Sequence, residues 1–267
     1  TRLRTAIEQS HFELFFQAVL PLQSKDHGWH YEVLLRYHEP LSIELITPGQ
    51  FLTAAERYGF LTAIDRWVLN HFCQWLADNP EHARQLTQVN INLSAPSLLD
   101  PEFHRLLDRL LEQHQLPANR LCIEVTEMVA LGELGASSEW INSLRQRGLK
   151  VALDDFGSGF ASYAYLRNLP LDILKIDGSF ISGIEHDPIN QAMVRSMVLI
   201  ARQLGLQTVA EFVENQASLD CLSKLGIDYA QGYFIGRPQP LALLADLNEQ
   251  AQDNLPSAQA FELGPLI

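Results

Sequence analysis

The 267-residue chain has no apolar run approaching the about 18 residues that a membrane-crossing helix requires. No charged, then apolar, then small-residue signal opens it either. Basic residues are few: 19 Lys and Arg stand against 32 Asp and Glu, a formal charge of -13. That balance opposes a broad electrostatic footprint on a nucleic acid polymer or on anionic lipid, so an anionic ligand has to be held by local cations. Cysteine is scarce. Cys73, Cys122 and Cys221 are an odd number, far apart and each in an apolar context, which reads as reduced core thiols of a cytoplasmic protein rather than a disulfide framework. The nine histidines form no HxH or HExxH pair, which argues against zinc, and no glycine-rich dinucleotide or P-loop spacing follows any candidate strand.

What is present is ample apolar material, 47% of residues against 19% charged, which excludes a disordered chain. Short apolar runs bounded by breakers predict strands at Phe12–Val19, Tyr31–Arg36, Gln88–Leu93, Leu121–Thr126, Lys150–Asp155, Ile173–Asp177, Thr208–Glu214 and Tyr229–Ile235. Amphipathic helical stretches separate them, among them Pro188–Leu204, Gln216–Leu225 and Leu241–Gln250, several opened by Pro or Ser and closed by Gly. Eight strands alternating with helices over about 250 residues predict a single (β/α)8 barrel of the TIM type. The predicted barrel covers residues 1–253, and residues 254–267 lose periodicity and read as a C-terminal tail. The chain opens at Thr1 without an initiator methionine and reads as a piece of a longer protein with an upstream domain.

The polar residues carry the chemistry. In a barrel the catalytic groups project from the C-terminal ends of the strands. Here those ends hold Glu32, Asn92, Glu124, Asp154 and Asp155, Lys175 and Asp177, Glu211 and Glu214, and Gln231. Each alone could be a helix cap or a solvated edge residue. Recurrence on successive strands favours one acidic mouth, and acids crowded there repel one another unless cations sit among them. Oxygen ligands of this kind suit Mg²⁺ or Mn²⁺.

Several motifs then coincide: FELFFQAV, EVLLR, NLSAPSL, IEVTE, DDFGSGFASYAYL, LKIDGSF, VAEFVE and GIDYAQGYFIGRP. From Phe12 to about Pro240 the chain resembles the EAL-domain family of cyclic di-GMP phosphodiesterases. The resemblance implies a modified barrel whose first strand runs antiparallel to the rest, and hydrolysis of cyclic di-GMP to linear 5′-pGpG by a water activated between two Mg²⁺ or Mn²⁺ ions, lowering a bacterial second messenger. It implies a first metal on Glu32, Asn92, Glu124 and Asp154, and a second on Asp154, Asp155 and Glu211. Lys175 is implied to position the attacking water or the scissile phosphate, with Asp177 and Gln231 nearby, and Glu214 to support the loop from Phe156 to Tyr163. Gln17 resembles a guanine contact and Arg36 a phosphate contact. Strand alternation selects Glu124 over Glu127 as the ligand, because the two face opposite ways.

The family resemblance also implies a homodimer pairing near that loop, and an upstream sensory or GGDEF-type domain through which the whole protein could be anchored to a membrane. Four positions depart from the family pattern: Val33 for Ala, Ala18 for Pro, Ser158 for Thr and Phe212 for Gly. None removes an implied ligand. The other reading of function is a catalytically weak cyclic di-GMP receptor or effector domain, which loss of ligands would favour; here every implied ligand position is filled.

Overall fold

The computed structural model describes residues 2–8, 11–24, 28–38, 45–132, 134–159 and 163–245. Its strands are β1 (Phe12–Ala18), β2 (Leu20–Pro21), β3 (Trp29–His38), β4 (Leu45–Ile46), β5 (Leu86–Asn92), β6 (Leu121–Thr126), β7 (Lys150–Phe156), β8 (Ile173–Ile176), β9 (Gln207–Ala210), β10 (Tyr229–Ala230) and β11 (Gln239–Pro240). From β3 through β5, β6, β7, β8 and β9 to β10, neighbours pair in parallel. β1 runs antiparallel to β3, with Gln17 opposite Glu32. Its two-residue continuation β2 pairs antiparallel with β10. One stretch of chain, Phe12–Pro21, therefore borders both the first and the last parallel strand, and the sheet curls into a modified TIM-type barrel with an antiparallel first strand.

Each predicted strand corresponds to one of these elements, but the last two are far shorter than their apolar runs. β9 stops at Ala210, and Glu211–Glu214 leaves the sheet with Phe212 at φ 56°. The helices Pro188–Leu204 and Gln216–Leu225 have their predicted bounds. Asp187 accepts hydrogen bonds from the amides of Ile189 and Asn190 at the start of the first, and Gly205 ends it at φ 75°, a left-handed conformation that costs glycine nothing. The predicted helix Leu241–Gln250 is described only to residue 245, and the 253/254 boundary and the tail 254–267 lie outside the described residues. Among the described residues no helix is long and apolar enough to cross a membrane.

Alternation along the strands sorts the side chains into two cores. Outward residues such as Val33, Ile91, Ile123, Val151 and Leu174 join the large cluster beneath the helices, so the valine at position 33 is a packing residue. A second, small cluster of Val19, Cys122, Ala152, Ile173 and Val209, with Tyr229 packed against it, fills the barrel interior. Each of its residues lies two positions from Gln17, Glu124, Asp154, Lys175, Glu211 and Gln231 in turn. A strand period of two therefore stacks the polar layer on these apolar residues, with buried His30 and Asn90 at the same lower level on β3 and β5. None of the three cysteines is paired, and burial raises their pKa values, that of Cys73 to about 12.

Candidate active site

Lys175 stands at the centre of the polar layer, 1% exposed. Its Nζ lies 2.9 Å from Glu124 Oε2, 2.9 Å from Glu211 Oε1, 3.1 Å from Asp154 Oδ1 and 3.5 Å from Glu32 Oε2. These four acids come from four different strands or strand ends, β3, β6, β7 and the residue after β9. Amides orient them. Asn92 Nδ2 donates to Glu32 Oε1 (2.6 Å), Gln231 Nε2 donates to Glu32 Oε2 (2.7 Å), and Asn90 Nδ2 donates to Glu124 Oε1 (2.7 Å). Gln231 also reaches Gln17 Oε1 at 3.2 Å, and Gln17 Nε2 donates to the Gly236 carbonyl.

One ammonium among four carboxylates, with Asp155 beside them, leaves excess negative charge in a dry layer. The titration behaviour follows. Burial pushes Glu211 up to about 8 and Glu124 well above the usual carboxylate range, in each case against the pull of Lys175. Burial, then Asp154 and Asp177, raise Asp155. Burial also opposes ionisation of Glu32, but Lys175 and the hydrogen bonds from Gln231 and Asn92 outweigh it and hold that carboxyl below its usual range. Lys175 stays firmly protonated because its carboxylate neighbours outweigh its own desolvation.

Asp154 and Asp155 are sequence neighbours, so plain alternation would send them to opposite faces. The β7–β8 ladder breaks register between Leu153 and Phe156, and Asp155 takes φ 56° there. This irregularity re-aims both carboxylates to one side. Oxygens of Asp154, Asp155 and Glu211 then lie within 4.8 Å of one another. An all-oxygen trio at this spacing fits a hard divalent cation. Asn92, Glu32 and Glu124 line the same layer, the last two drawn toward Lys175.

Above the layer a cleft of about 480 Å³ opens, lined among others by Gln17, Glu32, Arg36, Glu211, Phe212 and Glu214. Arg36 lies over the Phe15 ring, 5.3 Å from its centroid, and has no ion pair among the described residues. Its Nη1 donates to the Leu35 carbonyl at 2.8 Å, and the side chain lines the cleft. Asp177 serves as a helix cap, its Oδ1 accepting from the Ser179 amide at 3.0 Å.

Two contacts were not foreseen. The described part of the Phe156–Tyr163 loop is held by Glu127, whose Oε2 accepts from the Gly157 amide at 2.9 Å. Glu214 lies exposed on the cleft wall. Glu127 is the first residue of the helix Glu127–Gly132, and its carboxylate reaches the neighbouring loop. A Cβ on Gly159 would sit 2.6 Å from Glu127 Oε1, so the glycine makes room for this carboxylate. The second is buried Asp65, whose Oδ2 accepts from the Ser94 amide, Ser94 Oγ and Ser97 Oγ and so fixes the turn that follows Asn92.

Comparison with known proteins identifies the family. Residues 1–238 match the EAL domain family model. The cyclic di-GMP phosphodiesterase PdeB of Shewanella oneidensis is 41% identical over 244 residues, covering 90% of this chain and 28% of that protein. The cyclic di-GMP phosphodiesterase PdeF of Escherichia coli is 39% identical over 252 residues, 93% of this chain and 32% of that protein. The chain thus spans less than a third of these curated relatives. The solved PaMucR phosphodiesterase, a c-di-GMP complex, superposes with a TM-score of 0.82 at 35% identity, covering 91% of this chain and 97% of that one. On the family match across most of its length, the chain belongs to the EAL domain family.

Proposed function

We propose that the barrel hydrolyses cyclic di-GMP to linear 5′-pGpG in a metal-dependent reaction. The observation that carries this reading is the assembly of Asp154, Asp155 and Glu211 within one ion's reach beside the Lys175 cluster. In it, Asp154, Asp155 and Glu211 would hold one divalent ion, Mg²⁺ or Mn²⁺, and Glu32, Asn92 and Glu124 with Asp154 would hold a second. Two such ions, when bound, polarise a phosphate and activate a water for attack on phosphorus. The chain's own residues supply the rest. Lys175 gathers the acids into one layer, Gln17 and Gln231 fix the amide rim next to a guanine, and Arg36 offers a positive charge to a phosphate in a protein that is otherwise acidic. Glu214 extends that wall. Water adds to phosphorus, one P–O3′ bond breaks, and the linear dinucleotide leaves.

The relatives' names and a c-di-GMP complex in the family support the substrate. The receptor reading needs a missing ligand, and the acidic trio and Glu32 are all in place. Incubation with cyclic di-GMP and Mg²⁺, then chromatographic separation, decides between them: pGpG supports the enzyme, while tight binding without product supports the receptor. The same reading places the domain in the cytoplasm, joined to an upstream sensory or GGDEF-type domain. It pairs two copies near the loop that begins at Phe156.

A further inference from the structure

Beneath the acidic layer, on the side away from the cleft, a line of polar side chains crosses the barrel interior. Lys150, the first residue of β7, donates from Nζ to Gln88 Oε1 at 2.7 Å. Gln88 Nε2 donates to Asn90 Oδ1 at 2.9 Å, and Asn90 Nδ2 donates to Glu124 Oε1 at 2.7 Å. Gln88 and Asn90 are buried, Asn90 completely. The direction is forced. An ammonium can only donate, so the Gln88 carbonyl must face Lys150 and its amide nitrogen must face Asn90. Asn90 is then turned with its oxygen toward Gln88 and its nitrogen toward Glu124. The second Gln88 hydrogen is met by His30 Nε2 at 3.2 Å.

We infer that Asn90, oriented through Gln88 by Lys150, is a positioning residue that sets the carboxylate plane of Glu124 for metal binding. Glu124 is gripped at both oxygens, Oε1 by Asn90 and Oε2 by Lys175, and its side chain is 0% exposed. With both grips in place one lone pair on each Glu124 oxygen remains for an ion, in directions fixed by the two donors. Without the Asn90 grip the carboxylate can rotate about its bond to the chain and follow Lys175. This inference rests on the metal-site reading above and adds to it a control that lies outside the ligand set.

The test is calorimetric titration of the metal-free protein with Mn²⁺ alone, no substrate present. Asn90→Leu is expected to weaken Mn²⁺ binding by about 10–100-fold, the usual effect of removing a group that orients a metal ligand. Lys150→Met should weaken it in the same direction but less, and Lys150→Arg, which still only donates, should restore the parent affinity. The double variant should bind no more weakly than Asn90→Leu, because both act through one chain. Parent-like Mn²⁺ affinity in a folded Asn90→Leu protein, or additive losses in the double variant, would overturn the inference. If Asn90→Leu does not fold, the Lys150 pair decides: a Lys150→Met protein that binds as the parent does is equally fatal. A parent that binds no Mn²⁺ removes the metal-site reading, and the relay falls with it; a parent that binds Mn²⁺ beside an unaffected Asn90→Leu removes the relay alone.

Discussion

Lys175 Nζ and Glu124 Oε2 lie 2.9 Å apart at the floor of the barrel mouth, 1% and 0% exposed. Neither charge is tolerable there without the other. Replacing Lys175 by Met leaves Glu124 and its neighbours without their cation, and removing one partner of a buried pair costs about 3–5 kcal/mol. A Lys175→Met protein should therefore unfold at a markedly lower temperature when metal-free and should lose turnover. Saturating Mg²⁺ should recover part of the lost stability but none of the activity. Thermal unfolding with and without Mg²⁺ checks this.

The metal-free protein should lose stability as pH rises. Glu211 carries a folded pKa of about 8 against an ordinary 4.5, so between those values the folded state holds a proton that the unfolded state has released. The slope of unfolding free energy with pH follows the protons bound by the unfolded state minus those bound by the folded state, which is negative here. The contribution is full below pH 4.5 and gone above about 8. Excess Mg²⁺ should flatten the decline by taking the proton's place. Unfolding midpoints from pH 5 to 8.5 in EDTA and in Mg²⁺ give the comparison.

Glu127→Ala should slow catalysis without removing a site ligand, because it frees the Gly157 amide and loosens the loop that follows Asp155 and the end of β7. Hydrogen exchange at residues 156–159 should quicken, and kcat should fall about 10-fold or more. Glu214→Ala should leave exchange in that loop unchanged. The opposite pattern would return the loop-holding role to Glu214.

Phe212 sits at φ 56° and is 63% exposed, its ring against the Gly178 backbone. A left-handed conformation costs a residue with a Cβ about 1–2 kcal/mol, and glycine's extra unfolded-state freedom costs about 0.5–1 kcal/mol. Phe212→Gly should accordingly leave stability equal or raise it by up to about 1 kcal/mol, whereas Phe212→Val should lower it. Denaturant unfolding distinguishes them.

Much of this was legible in the sequence because two periods coincide. The apolar runs located the strands, and an acid or amide recurring at strand ends marked the mouth, since independent surface acids have no reason to share one end. What escaped was backbone irregularity. The bulge that brings Asp154 and Asp155 to one side, the short β2–β10 pairing that borders the first strand, and the early end of β9 all depend on local φ values and register, which residue types signal weakly. Glu127 escaped for a different reason: alternation describes strands, and Glu127 begins a helix. Asn90, Gln88 and Lys150 fall within predicted strands, and only the barrel places them in line below Glu124.

The most direct test of the account is the rate of cyclic di-GMP consumption by protein freed of metal with EDTA and then given Mn²⁺ in excess. The account predicts no consumption after chelation and recovery of pGpG formation when Mn²⁺ is added back. An unchanged rate in excess EDTA would contradict it.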